Sequence, residues 1–184
     1  LTNQRQDQYG GDLAGRSRLL LEVIAAVQQA VGADFPLLVK LNGSDNLAGG
    51  LEIDDSLEIA KLLDHAGVAA IEISSGTPAS GDQTPIRLNH RSGDEMAYNA
   101  ILSRAIKQQV KCAVMNVGGI RSLHVANGLL RTKQTDYISL SRPLVREPDL
   151  PNKFRDTVSE KSTCISCNGC LKTMLQGDLR CVVP

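Results

Sequence analysis

The sequence predicts an α/β fold built on a parallel sheet, and three observations carry that expectation. Segments with helical periodicity alternate with short apolar runs through the first 140 residues. Strands alternating with helices mean βα units. Each run ends in a polar or glycine-containing turn, NGSDN, SSG, GGIRS and SRP in order, and functional groups of parallel sheets gather at such carboxyl ends.

The elements follow in order. From Leu13 to Val31 the apolar residues Leu20, Val23, Ile24, Val27 and Val31 recur at three and four, an amphipathic helix that Gly32 is placed to cap. PLLVKL (36–41) reads as a buried strand. Asp54 and Asp55 open a second helix through Leu57, Ala60, Leu63 and Ala66, closed by Gly67. VAAIEIS (68–74) is the second strand, and a third helix carries Ala97, Ile101, Leu102, Ala105 and Ile106. CAVMNV (112–117) is the third strand, Val125, Ala126, Leu129 and Leu130 make a short helix, and DYISL (136–140) is the fourth strand. Residues 75–95 form a long stretch of Gly, Ser, Pro and charge, the composition of a lid, a binding loop or a disordered segment. Neither a repeat nor an interdomain linker is visible. Four βα units fit a doubly wound sheet or half of an eight-stranded barrel, which typically takes about 250 residues, and spacing leaves both open.

Composition excludes several classes. Twenty basic and twenty acidic residues cancel, so no net field draws the chain to nucleic acid or anionic lipid. No apolar run approaches the roughly 18 residues of a membrane span, and the polar start LTNQRQDQYGGD has no signal-peptide core. A chain that begins at Leu1 rather than Met reads as a piece of a longer one. Four of the five cysteines lie in the last 21 residues, whereas a secreted disulfide scaffold distributes them. A reducing, cytoplasmic setting is expected.

Two strand ends carry the first candidate site. NVGGIRS follows the third strand and SLSRP the fourth. Gly118 and Gly119 either make only a tight turn or let the backbone approach an anion and offer it N–H groups. Arg142 at the neighbouring strand end favours the second reading, because both tips would face one site. Lys40 shares a face of its strand with Leu38 and Asn42. Its ammonium either reaches solvent or aims at an anionic ligand. The second candidate is CISCNGC, in which Cys164, Cys167 and Cys170 precede Cys181. C-x2-C-x2-C with a remote fourth thiol matches a [4Fe–4S] loop. Zinc also takes four thiolates, usually as two C-x2-C knuckles, and the second knuckle is missing. Bare thiols are the third reading. Cys112, inside a strand, reads as a core residue, and His65, His90 and His124 read as surface residues.

These motifs together resemble a family. LTNQRQDQYGGDLAGRSRLLLEVIAAV is similar to the stretch after the fourth strand of old yellow enzyme-type flavin oxidoreductases, with its N-x-R-x-D-x-YGG…R-x-R signature. LLVKLNGSDN, NVGGIRS and SRPLVREPDLPNK resemble its fifth, seventh and eighth strand ends, in that order. The cysteines resemble those of the 2,4-dienoyl-CoA reductase and trimethylamine dehydrogenase branch.

The resemblance implies an FMN-binding TIM (β/α)8 barrel, with residues 1–160 as its second half (strands 5–8) and 161–184 as a Cys-rich, iron–sulfur segment. Lys40, where many relatives carry Arg, would stand at the flavin N1–C2 edge. Gly118, Gly119, Ser141 and Arg142 would hold the FMN phosphate, although the family usually has Gly at the Ser141 position. Cys164, Cys167, Cys170 and Cys181 would ligate a [4Fe–4S] cluster, with one residue fewer between the second and third than relatives generally show. The implied activity passes hydride from NAD(P)H through flavin to an activated alkene (enoyl or enone type) or a related small-molecule acceptor. The proton donor and histidine pair would lie upstream of Leu1, since Tyr9, Tyr98 and Tyr137 are not in the donor's context. This segment alone is therefore expected to be inactive. Its implied partners are the N-terminal half of the barrel and a C-terminal FAD/NAD-binding domain. The alternative is a non-catalytic α/β zinc module whose GG and SRP turns are structural.

Overall fold

The computed structural model describes residues 2–32, 34–88 and 97–184. Its first helix, α1 (Leu13–Val31), has the bounds the sequence predicts, and both ends are capped. The Asp12 carboxylate accepts from the Gly15 amide at 2.8 Å. Gly32, at φ 87°, turns the chain away while its N–H bonds the Gln28 carbonyl. In α2 (Ile53–His65) Asp54 and Asp55 occupy the first turn, where the helix dipole favours negative charge. Two further helices, α3 (Ala100–Lys107) and α4 (Leu123–Arg131), complete the repeating pattern. Ala97 was expected within α3 but precedes it, in a left-handed turn at φ 62°; a helix cannot pass through that conformation.

Strands β1 (Leu38–Asn42), β2 (Ala70–Ser74), β3 (Ala113–Val117) and β4 (Tyr137–Ser139) are parallel and lie in chain order. A doubly wound sheet reverses its strand order at a switch point. This sheet advances in one direction only, as a barrel wall does. Helices cover one face. There Ala60, Leu63, Ile71, Ile73, Ile106 and Val114 are all fully buried. The other face holds Leu38, Lys40 and Tyr137, and Leu38 and Tyr137 are 55% and 58% exposed. PLLVKL was expected as a buried strand; within this chain it buries one side.

Three short helices escaped the sequence reading: α5 (Arg142–Arg146), α6 (Leu150–Arg155) and α7 (Gly169–Leu175). Five to seven residues are too few to show a 3.6-residue period. Pro143 and Pro151 sit in the first turns of α5 and α6, where a missing N–H costs nothing. The chain then returns to the sheet's carboxyl end. The Leu123 amide bonds the Glu160 carbonyl and the Ser162 amide bonds the Arg121 carbonyl, each at 2.8 Å. Residues 75–88 of the long loop fold onto the turn after β1, with the Ser80 hydroxyl on the Asp45 carbonyl at 2.6 Å. The remainder of that loop, including His90, lies outside the described residues. His65 and His124 are exposed, as expected. Among the described residues no helix is long and apolar enough to cross a membrane.

Candidate functional site

At the carboxyl ends of the strands a cavity of about 590 Å³ is lined by Lys40, Gly118, Gly119, Ser141 and Arg142 together. That volume lies within the range of small-molecule and cofactor pockets. Lys40 belongs to β1 and Ser141 and Arg142 follow β4, so the cavity crosses the whole sheet. Three interstrand spacings of about 4.8 Å make roughly 14 Å. A ligand contacting both cations must be elongated.

Lys40 is not a lone cation. Its ammonium pairs with the Glu72 carboxylate directly across the β1–β2 ladder. Burial works against ionisation of Glu72, but hydrogen bonds from Lys40 and Ser139, with the charge of Lys40, outweigh it and hold the carboxyl below its usual range. The signal was present in the sequence: period two puts Lys40 and Glu72 on the same face of adjacent strands.

Gly118 and Gly119 sit at φ 118° and 77°, conformations that side chains disfavour. Space is equally restrictive. A Cβ on Gly118 would lie 2.5 Å from Tyr98 Cε2, and one on Gly119 2.9 Å from Tyr98 Cδ1. The glycine pair therefore admits the Tyr98 ring as well as leaving its own backbone bare. Tyr98 is fixed by its hydroxyl, which donates to the Pro85 carbonyl at 2.9 Å, and by the Arg87 guanidinium 4.2 Å over its ring. Burial lowers the pKa of Arg87. Next to it Asn99, 2% exposed, donates to the Val117 carbonyl at 2.7 Å and accepts from the Ser75 hydroxyl at 2.5 Å. This network holds the β3 tip against the loop after β2. Tyr98 and Asn99 were missed as wall residues because nothing local in the sequence ties them to positions nearly twenty residues on.

Arg142 is tied through one nitrogen: Nη1 donates to the Arg87 carbonyl at 2.8 Å and to Asn168 Oδ1. Ser141 is exposed beside it. These residues fit a cofactor with an anionic end. Two cations stand at the ends of the cavity, and the backbone between them is free of Cβ atoms at Gly118 and Gly119.

The second cavity is smaller, about 20 Å³, and Cys164, Cys167, Cys170 and Cys181 all line it. The loop is wound by left-handed residues at Ser166 (φ 54°) and Asn168 (φ 57°). N–H groups already approach two sulfurs: the Gly169 amide lies 3.5 Å from Cys167 Sγ and Arg146 Nη1 3.8 Å from Cys181 Sγ. Among the described residues no three Cys, His, Asp or Glu side chains form a group able to hold a metal ion. A single zinc, about 2.3 Å from each of four sulfurs, would draw them together. A cluster gives each sulfur its own iron and lets the thiols face one cavity from separate corners. Four thiols facing one cavity with N–H groups beside two of them are a donor set that a cluster can use. Cys112 stands apart in β3's approach; burial first, then the Asp64 carboxylate, push its thiol up to about 11.

Comparison with known proteins places the fold. The sequence model of the NADH:flavin oxidoreductase / NADH oxidase family matches residues 1–161. The chain is 37% identical over 174 residues to a metal reductase of Desulforamulus reducens, a match covering 93% of this chain and 25% of that protein. It is 33% identical over 186 residues to an NADH oxidase of Thermoanaerobacter brockii, covering 99% and 28% respectively. The solved structure of 2-naphthoyl-CoA reductase with 2-naphthoyl-CoA superposes with a TM-score of 0.76 at 27% identity, over 92% of this chain and 25% of that one. The chain thus spans about a quarter of the length of these relatives.

Proposed function

This chain belongs to the NADH:flavin oxidoreductase / NADH oxidase family, and we propose that it supplies the phosphate-binding wall and one electrostatic edge of an FMN site in an NAD(P)H oxidoreductase. Its four βα units are part of a TIM barrel; the proposal takes residues 1–160 as strands five to eight and 161–184 as a separate iron–sulfur segment. The observation that carries it is the meeting of Lys40, Gly118, Gly119, Ser141 and Arg142 on one cavity.

FMN held there would supply hydride transfer between NAD(P)H and an activated alkene of enoyl or enone type, or a related acceptor. The chain's own residues bind and orient. Gly118 and Gly119 offer backbone N–H groups to the phosphate, Ser141 and Arg142 close on it from the next strand, and Lys40 places positive charge at the far end of the cavity. Glu72 holds the Lys40 ammonium in position. Cys164, Cys167, Cys170 and Cys181 would hold a [4Fe–4S] cluster, which would supply single-electron transfer to a neighbouring carrier. The proton donor and the partner half of the barrel belong to sequence outside this chain.

The test uses the full-length protein. Denaturation should release FMN, and Lys40→Ala should make the flavin harder to reduce, seen as a lower midpoint potential with a stability loss of only about 0.5 kcal/mol. Colourless protein loaded with zinc, or a potential untouched by the substitution, refutes the reading. Cys167→Ser should abolish iron–sulfur absorbance while FMN remains detectable.

A further inference from the structure

The two cavities share a wall. Arg142 and Ser166 line both of them, and Ser166 is 3% exposed. One side chain in that wall joins three segments far apart in sequence. Asn168 lies between Cys167 and Cys170. Its Oδ1 accepts from Arg142 Nη1, in the turn after β4 and 26 residues away. Its Nδ2 donates to the Ile86 carbonyl at 2.9 Å, 82 residues away in the loop after β2. Arg142 Nη1 closes the triangle by donating to the Arg87 carbonyl at 2.8 Å. Both contacts of Arg142 are made by a single nitrogen, so the guanidinium keeps further N–H groups for a ligand.

Asn168 owes its aim to its backbone. It sits at φ 57° and ψ 15°, just before α7, a left-handed conformation that Asn adopts more readily than most residues. Its orientation is set by how the cysteine loop is wound. A second tie runs the same way: Arg121 Nη1 donates to the Cys164 carbonyl at 3.1 Å, joining the loop to the segment after Gly119.

We infer that Asn168 is a positioning residue that makes the Arg142 end of the flavin pocket depend on the folded cysteine loop. This rests on the reading of that pocket as an FMN site and of the loop as a cluster site. Arg142 is a long side chain with much rotamer freedom. Pinned by a charge-assisted hydrogen bond, it meets an anion without first being ordered. Loosen the loop and the pin is lost. The coupling is reciprocal, so occupancy of the flavin pocket also steadies the loop.

The experiment uses full-length holoprotein and two readouts, the FMN dissociation constant from flavin fluorescence on release and the iron content per chain. Asn168→Gly removes the side-chain amide but tolerates positive φ. It should bind FMN about tenfold more weakly with iron content unchanged. Asn168→Asp keeps an acceptor for Arg142 but puts an oxygen where Nδ2 donates to the Ile86 carbonyl, so its FMN affinity should fall between wild type and Asn168→Gly. Cys170→Ser, which removes a cluster ligand, should weaken FMN like Asn168→Gly.

Wild-type FMN affinity in Asn168→Gly, or an Asn168→Asp as weak as Asn168→Gly, overturns the inference. Should Asn168→Gly lose iron as well, Cys170→Ser decides: weakened FMN upholds the coupling, and unchanged FMN overturns it. Wild-type protein that releases no flavin overturns the underlying site assignment, a result separate from all of these.

Discussion

Behind the sheet, Leu63, Ile71, Ile73, Ile106 and Val114 are fully buried against one another. At the strand ends the walls are instead held by Asn99, Arg121, Arg142 and Asn168, each bonded to a backbone carbonyl or side chain far along the chain. The first region is built from short-range, non-directional burial, worth about 1.5–3 kcal/mol per large side chain. The second is built from directional bonds that place groups and add little net stability, about 1 kcal/mol each and somewhat more with a charged donor. Damage to the first should therefore unfold the protein, and damage to the second should leave a folded protein with a disordered site.

The largest effect separates them directly. Ile71→Ala in the full-length protein should cost about 2–5 kcal/mol in denaturant unfolding. The molecules that remain folded should bind FMN with wild-type affinity. An affinity that falls in step with stability would break the division between the regions.

Cys112 sharpens it next. It packs against the buried core, and its thiol is pushed up to about 11 by burial and the Asp64 carboxylate. An ordinary thiol titrates near 8.5. At pH 8 the thiolate fraction of Cys112 should be about two hundredfold smaller, and its alkylation slower by a similar factor. Asp64→Asn should speed that reaction by removing the negative charge. Mass spectrometry after timed iodoacetamide treatment measures both, and rapid labelling of Cys112 in the native protein would place it outside the protected region.

At the rim, Gly118→Ala should cost about 1–3 kcal/mol through strain and the clash with Tyr98. Gly118→Ala combined with Tyr98→Ala removes the clash with the ring but keeps the strained φ and a 2.8 Å approach to Asn99 Nδ2. The pair should be non-additive, recovering part of the loss in a double-mutant cycle. Strict additivity would mean that the ring does not govern the glycine turn.

The same contrast explains what could be read from the chain beforehand. α1 was legible because its apolar residues recur at three and four and Gly32 marks its end, while the Asp12 cap emerged only in the structure. The strands were legible because apolar burial writes a period into sequence. The five residues proposed for the flavin site, which line one cavity, were named because strand ends of parallel sheets converge and their order resembled a known family. Asn168 and Asn99 were not found. Their partners lie 82 and 18 residues away, and a directional bond between distant segments leaves no periodic trace. α5 to α7 were missed for a related reason, being shorter than two turns.

The smallest effect concerns the one feature the two regions share, a charge pair lying on the sheet itself. Glu72 has its carboxyl held below the usual range although burial opposes this, because Lys40 donates to it across the ladder. A carboxylate whose folded pKa is depressed stabilises the native state above its unfolded value of about 4.3, and that contribution disappears as pH falls through the folded pKa. With Lys40 57% exposed in this chain, screening limits the pair to about 0.5 kcal/mol. Between pH 6 and pH 3 the wild-type protein should lose about that much more stability than Glu72→Gln, read as the difference in Tm between the two pH values. Equal losses in both proteins would mean that Glu72 does not hold Lys40, and the Lys40 ammonium would then be positioned by its own strand alone.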